Sequence, residues 1–187
     1  MGATKFVERV IPHDALKEEI ARDLRRWGYE VLDNGRENTH PTMDISYMND
    51  PGAKEIRFKP DLTLIANGRV VFVDPKNSVY IEKDPYLYYR DMASRGIPVY
   101  VCCAKGNERR FSHISDLELA PPYHKIWPID CDGWISPREH PNYTEYKYSY
   151  PLTGKPYKGS GTPFRLIEFG SMASWGPIYF SFDVNSR

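Results

Sequence analysis

Two aspartates and a lysine, Asp61, Asp74 and Lys76, are the residues of this chain whose types and spacing best suit chemistry. Gathered at one point, two carboxylates and an ammonium group can hold a hard divalent cation with a positive charge beside it. Without such a cation the arrangement is costly, because paired carboxylates repel and one of them has its pKa raised. A tight chain reversal would gather them. Two short apolar-rich runs, 61–66 and 69–74, flank Asn67-Gly68. Asn-Gly between such runs signals a hairpin, since a type I′ turn needs positive φ at both central residues. A two-residue loop sets Ala66 opposite Arg69, and stepping outward sets Asp61 opposite Asp74. Directly opposed residues have Cβ atoms about 5 Å apart on one face. Lys76 returns to that face because side chains alternate along a strand.

The rest of the hairpin supports burial of its base. Leu62, Leu64, Val71 and Val73 share one face, and Ile65, Val70 and Phe72 share the other with the aspartates. A sheet apolar on both faces is covered on both, as in α/β proteins. The plain alternative is an edge hairpin with two exposed aspartates and a solvated lysine.

Upstream, residues 14–27 have the pattern of a helix. Leu16, Ile20, Leu24 and Trp27 recur on one stripe, Gly28 follows as a stop, and Asp14 or His13 is placed to cap the start. Glu18 points nearly opposite the stripe, while Glu19 and Asp23 lie on its border.

Pro60-Asp61 followed by Asp74-Pro75-Lys76, with an acidic helix upstream, resembles the PD-(D/E)xK nuclease superfamily. The resemblance covers roughly residues 13–104. It implies an α/β fold, a mixed central β-sheet flanked by helices, known as a restriction-endonuclease-like core. It further implies hydrolysis of phosphodiester bonds with Mg²⁺ or Mn²⁺, in DNA more than in RNA. Asp61, Asp74 and the Pro75 carbonyl would hold the metal. Glu19 would complete the shell from the helix, with Glu18 and Asp23 as rivals. Lys76 would orient or help deprotonate the attacking water. Asn77, Ser78, Tyr88 and Arg90, near the lysine strand and on the helix after it, would contact nucleic acid. The chain departs from the commonest pattern in two ways. Its second acid is Asp rather than Glu, and Pro75 occupies the middle position, where proline removes a ladder donor.

After the motif, Asp84-Pro85 reads as a helix start, with Arg95-Gly96 as its end. Ile97–Ala104 then reads as a buried strand reached by a helical crossover, hence parallel to the lysine strand. Tyr86 and Tyr89 read as packing residues. Lys105, Arg109 and Arg110 make a small basic cluster past that strand, able to track a phosphate backbone or simply to keep a strand end soluble. Earlier, Tyr29–Leu32 and Met43–Met48 read as strands, 33–41 as a polar loop and Asn49–Gly52 as a turn.

Composition narrows the class. Over 187 residues, 41% are hydrophobic and 27% charged, as in an ordinary globular protein large enough for one core. The formal charge is zero, so contact with nucleic acid must come from local patches. No apolar run is long enough for a membrane span, and no signal-peptide core is visible. Three cysteines, Cys102, Cys103 and Cys131, lack disulfide-framework spacing. With His113 and His124 they also lack a zinc pattern, and the usage suits a reducing, cytoplasmic setting.

From Ala120 the texture changes. Nine of the sixteen prolines fall beyond it, among many aromatics, which argues against disorder. The division expected is a nuclease-like core over 1–119 and an irregular Pro/Tyr-rich extension over 120–187. That extension would pack on the core or on a second subunit of a homodimer. Within it, Asp130-Cys131-Asp132-Gly133 reads as a turn rather than a calcium loop, and Phe164–Phe169 as one more strand.

Two further functions compete with a DNA nuclease. One is an RNA endonuclease in which His13 adds a metal ligand, a variation the same superfamily contains. The other is an inactive core kept as a binding or assembly module through residues 120–187.

Overall fold

The computed structural model describes residues 3–34, 58–66, 68–140 and 162–176; of residues 3–13 and residue 66 only the backbone is described. Helix α1 (Ala3–Arg26) leads into β1 (Glu30–Asp33). The hairpin strands β2 (Leu62–Ala66) and β3 (Arg69–Lys76) follow, then the short β4 (Tyr80–Glu82). Helix α2 (Lys83–Ser94) crosses to β5 (Val99–Lys105), which turns back into β6 (Glu108–His113). Beyond residue 160 come β7 (Phe164–Leu166) and β8 (Ala173–Ser174).

These strands form a mixed sheet in the order β1-β2-β3-β5-β6-β8, with β4 and β7 as a separate antiparallel pair. β3 and β5 are parallel, as the α2 crossover requires, and the other pairs of the large sheet are antiparallel. This is the α/β architecture of a mixed central sheet flanked by helices. Hairpin register is the feature that matters most. Leu62 pairs with Val73 and Ala66 with Arg69, across a two-residue connection in which Gly68 has φ 73°.

Alternation then sorts the residues onto two faces. Leu62, Leu64, Val71, Val73 and Cys102 pack against Leu16, Ile20, Ala21 and Leu24 of α1. Val99, Val101 and Cys103 point the other way, onto Tyr89 and Met92 of α2, where Ile114, Leu117, Phe169 and Met172 complete the cluster. Adjacent Cys102 and Cys103 therefore belong to opposite faces and cannot chelate one ion together.

Several boundaries differ from the sequence expectation. Helix α1 begins at Ala3 rather than at Asp14. His13 and Asp14 thus stand inside a running helix, with no first-turn N–H groups to cap. Helix α2 begins at Lys83, one residue before the Asp84 expected to cap it, and the Lys83 N–H donates to the Pro163 carbonyl at 2.8 Å. Pro85 still falls in the first turn, where its missing N–H costs no helical bond. The strand expected at 97–104 runs from Val99 to Lys105, and that at 164–169 stops at Leu166. The strand expected at 43–48, most of the loop over 33–41 and the turn at 49–52 lie outside the described residues.

The described part of 120–176 packs closely on the core. β7 pairs with β4, Ile135 bridges to Phe164, and β8 extends the sheet beside β6. Asp130 and Asp132 close a tight turn on Lys83, with carboxylate oxygens 3.0 and 3.1 Å from its ammonium. Asp130 Oδ1 also accepts the N–H groups of Asp132 and Trp134. Among the described residues no helix is long and apolar enough to cross a membrane.

Leu64 is fully buried between hairpin and helix, whereas Leu87 is 51% exposed on α2. Leu64→Ala is expected to cost about 2–5 kcal/mol in chemical denaturation. Leu87→Ala should change stability by less than about 0.5 kcal/mol.

Candidate active site

Asp74 is the buried charge of the sheet. It lies near the end of β3, opposite Val101 of β5 and so on the α2 face, with only 2% of its surface exposed. Lys76, two residues on, shares that face, and its Nζ lies 2.9 Å from Asp74 Oδ2. The pairing is one of charge more than of hydrogen bonding, since buried Oδ2 makes no aligned hydrogen bond. The Tyr89 hydroxyl donates a hydrogen bond to Asp74 from α2.

Asp61 immediately precedes β2, so continuing the Leu62–Val73 register by one step brings it opposite Asp74. Its charge is felt by both partners. Burial, reinforced by Asp61, raises the Asp74 pKa above the usual carboxylate value even though Lys76 and Tyr89 oppose the shift. For Lys76, burial pulls the pKa down, but Asp74, Asp61 and Glu82 together outweigh it and hold the group as an ammonium. Asp74 and Lys76 are thus in contact, and the charge of Asp61 acts on both.

Pro75 is accommodated by the strand's own alternation. The Phe72 N–H donates to Pro98 at the entry to β5, so even-numbered N–H groups of β3 face β5 and odd-numbered ones face β2. Position 75 thus faces a point beyond the first residue of β2, where no ladder acceptor goes unfilled. Its carbonyl points to the same side, toward the Asp61 end of the neighbouring strand.

Among the described residues no three His, Cys, Asp or Glu side chains gather closely enough to hold a metal between them. Asp61 and Asp74 are the carboxylates that could hold a Mg²⁺-type ion, which takes one or two carboxylates and keeps several waters. Asp74 Oδ2 is buried with the Lys76 ammonium beside it. Cys103 lies opposite Lys76 in the register, and burial above all pushes its thiol pKa up to about 12.

Helix α1 does not bring Glu19 to this place. The helix covers the opposite face of the sheet, and Glu19, half-exposed, lies 3.6 Å from Arg109 of β6. Asp23 is held there too, by Arg109 at 3.3 Å and by the Trp175 indole N–H at 3.0 Å, while Glu18 is exposed. The His13 side chain lies outside the described residues. Lys17 is the unexpected residue of α1. It is buried at 5% exposure, with its ammonium 3.0 Å from Asp33 of β1.

The residues expected to meet nucleic acid are dispersed. Asn77 is exposed and Ser78 half-buried just past Lys76. Tyr88 packs its ring 6.2 Å from Phe58 and 6.3 Å from Tyr89. Arg90 is exposed and donates to the Ser115 carbonyl at 3.0 Å. The basic cluster is largely engaged internally. Arg109 holds the α1 acids, and Arg110 pairs with Glu108 and donates to the carbonyls of Phe169, Gly170 and Met172.

Because the folded-state pKa of Lys76 exceeds its ordinary 10.5, the stability it contributes is complete below pH 10.5 and lost as pH rises through the folded value. Alkaline unfolding of Lys76→Met compared with wild type should show this. Wild type should lose stability more steeply above pH 10.5, and parallel curves would contradict the pairing.

No protein-family model and no curated protein matches this chain. Among solved structures it is similar to the 1.6 Å structure of Hjc, a Holliday junction resolvase from the archaeal hyperthermophile Archaeoglobus fulgidus. The TM-score is 0.37 and the identity 14%, over 54% of this chain and 75% of that one.

Proposed function

We propose that the protein is a metal-dependent nuclease that hydrolyses phosphodiester bonds, with DNA as its first expected substrate. One observation supports this above all. The hairpin register, carried one residue past Leu62–Val73, would set Asp61 opposite a buried Asp74, whose carboxylate has the Lys76 ammonium 2.9 Å away. A structural ion pair alone would not explain a second carboxylate at that spot, since its charge makes Asp74 harder to ionise.

In this reading Asp61, Asp74 and the Pro75 carbonyl hold Mg²⁺ or Mn²⁺. The bound ion supplies a water of lowered pKa and offsets the charge of the phosphate. Lys76, kept protonated by its acidic neighbours, is suited to steadying negative charge that develops on the phosphate rather than to taking a proton from water. Tyr89 positions the Asp74 carboxylate from the second helix. Glu19, held by Arg109, takes no part. Asn77 and Ser78, on the exposed side of Lys76, remain the residues best placed to meet a substrate.

Single-stranded, double-stranded and branched DNA, with matching RNAs, should be incubated with the purified protein and Mg²⁺ or Mn²⁺. Cleavage of DNA is expected, stopped by chelation. Asp74→Asn and Lys76→Met should each lower the rate at least about 100-fold while leaving the circular dichroism spectrum unchanged. An undiminished rate in Asp74→Asn would remove that residue from the mechanism. Cleavage of RNA in preference to DNA would change the substrate but not the site.

A further inference from the structure

Away from the aspartates, the turn at 124–127 is tied by a single imidazole. His124 Nδ1 accepts two backbone N–H groups, from Ile126 at 3.1 Å and from Trp127 at 2.9 Å. A nitrogen that accepts carries no proton, so the ring is neutral and its proton sits on Nε2. The half-buried ring also stacks on Trp127, with centroids 5.9 Å apart and planes at 18°, and meets Phe164 of β7 edge-on at 6.3 Å. Trp127 is itself buried, and the His140 ring touches it edge-on at 5.7 Å. One ring nitrogen therefore closes the turn that carries a buried tryptophan.

Protonation undoes this arrangement at its centre. An imidazolium donates from both nitrogens and accepts at neither, so the Ile126 and Trp127 N–H groups would lose their partner and face another N–H. Nearby charges do not offset the loss. Lys125 beside the ring is exposed, and Arg165, next to Phe164, donates to the Ala120 carbonyl at 2.8 Å. Glu82 of β4 pairs with Phe164 in the register, and His140 lies against Trp127. None of the four shifts His124, whose pKa burial holds below the ordinary 6.5. The next turn is anchored differently. Asp130 accepts the N–H groups of Asp132 and Trp134 and pairs with Lys83 of α2. Burial works against its charge, but the Trp134 N–H, Lys83 and the Asp132 N–H together hold its pKa below the ordinary 3.8. Acidification from neutral pH thus reaches His124 well before Asp130.

We infer that residues 124–127 form an acid-released latch: protonation of His124 opens this turn and unseats Trp127, while the Asp130–Lys83 pair keeps the following turn on α2. Nothing in this depends on the nuclease reading. The sign follows from linkage. Above pH 6.5 the ring is neutral folded or unfolded and the latch is complete; its stability is lost as pH falls from 6.5 through the lower folded value.

Nuclear magnetic resonance of the full chain, titrated from neutral pH down to about pH 5, tests this across the range where histidine changes charge. The His124 ring, the Ile126 and Trp127 amides and the Trp127 indole should titrate together, with a midpoint below 6.5. Across that midpoint the two amides should lose hydrogen-exchange protection at least about fivefold, as for one ordinary hydrogen bond, while the Asp132 and Trp134 amides keep theirs. His124→Asn supplies an acceptor at the same turn position that does not titrate, and should hold the Trp127 signals constant throughout. His124→Phe keeps the ring stack without the acceptor and should show the opened turn already at neutral pH. If His124→Phe does not fold, wild type and His124→Asn decide between them. The inference is overturned if His124 titrates at or above 6.5, if the Trp127 signals do not follow it, or if His124→Asn responds to pH as wild type does.

Discussion

A carboxylate placed inside a β-sheet sets the terms for everything around it. Asp74 occupies a strand position that is apolar on its β5 side, with Phe72 and Val73 before it and Val101 across from it. Left alone it would take up a proton, because burial penalises the charge. Lys76 can answer it only because the strand's repeat of two returns the ammonium to the same face. That local pairing fixes the rest. Cys103 must stay a thiol beneath it, Tyr89 must turn its hydroxyl inward, and β5 must be short of charge where it runs alongside.

Where strands stop shapes this end of the sheet. β3 runs to Lys76, but its partner β2 begins only at Leu62, so the ladder between them ends at Val73. Pro60 and Pro75 both lie past that last pair, where neither needs to donate toward the other. A proline that would damage a central strand elsewhere marks the point where pairing ends.

Much of this could be read from the residues, and the part that could not has a definite physical reason. Asn67-Gly68 and strict alternation fix the register, so Asp61, Asp74 and Lys76 could be placed with no tertiary information. The α2 crossover and the parallel β5 follow from helix length and the apolar run after it. Helix α1 is different. Its apolar stripe leaves two candidate borders, one carrying Glu19 and Asp23 and the other Lys17 and Ala21. Ordinary expectation sends a lysine to solvent, yet the helix buries the lysine border and gives the acidic one to Arg109 and Trp175. Those two partners lie about ninety residues or more further along the chain, and no local pattern announces them. The same holds for Asp130 and Asp132, whose turn was legible but whose grip on Lys83 was not.

The distribution of spent and unspent charge gives this arrangement its logic. The whole chain has zero formal charge, and its basic residues near the sheet are mostly committed: Lys17 to Asp33, Lys83 to Asp130 and Asp132, Arg109 to Glu19 and Asp23, Arg110 to Glu108. Little fixed positive field is left to draw in a polyanion. On the proposed reading the attraction arrives with the ion. A divalent cation held by Asp61 and Asp74 would add positive charge at the spot where a phosphate would react. Affinity and reactivity then have a common source, and a nearly neutral protein need not hold nucleic acid tightly before its site is loaded.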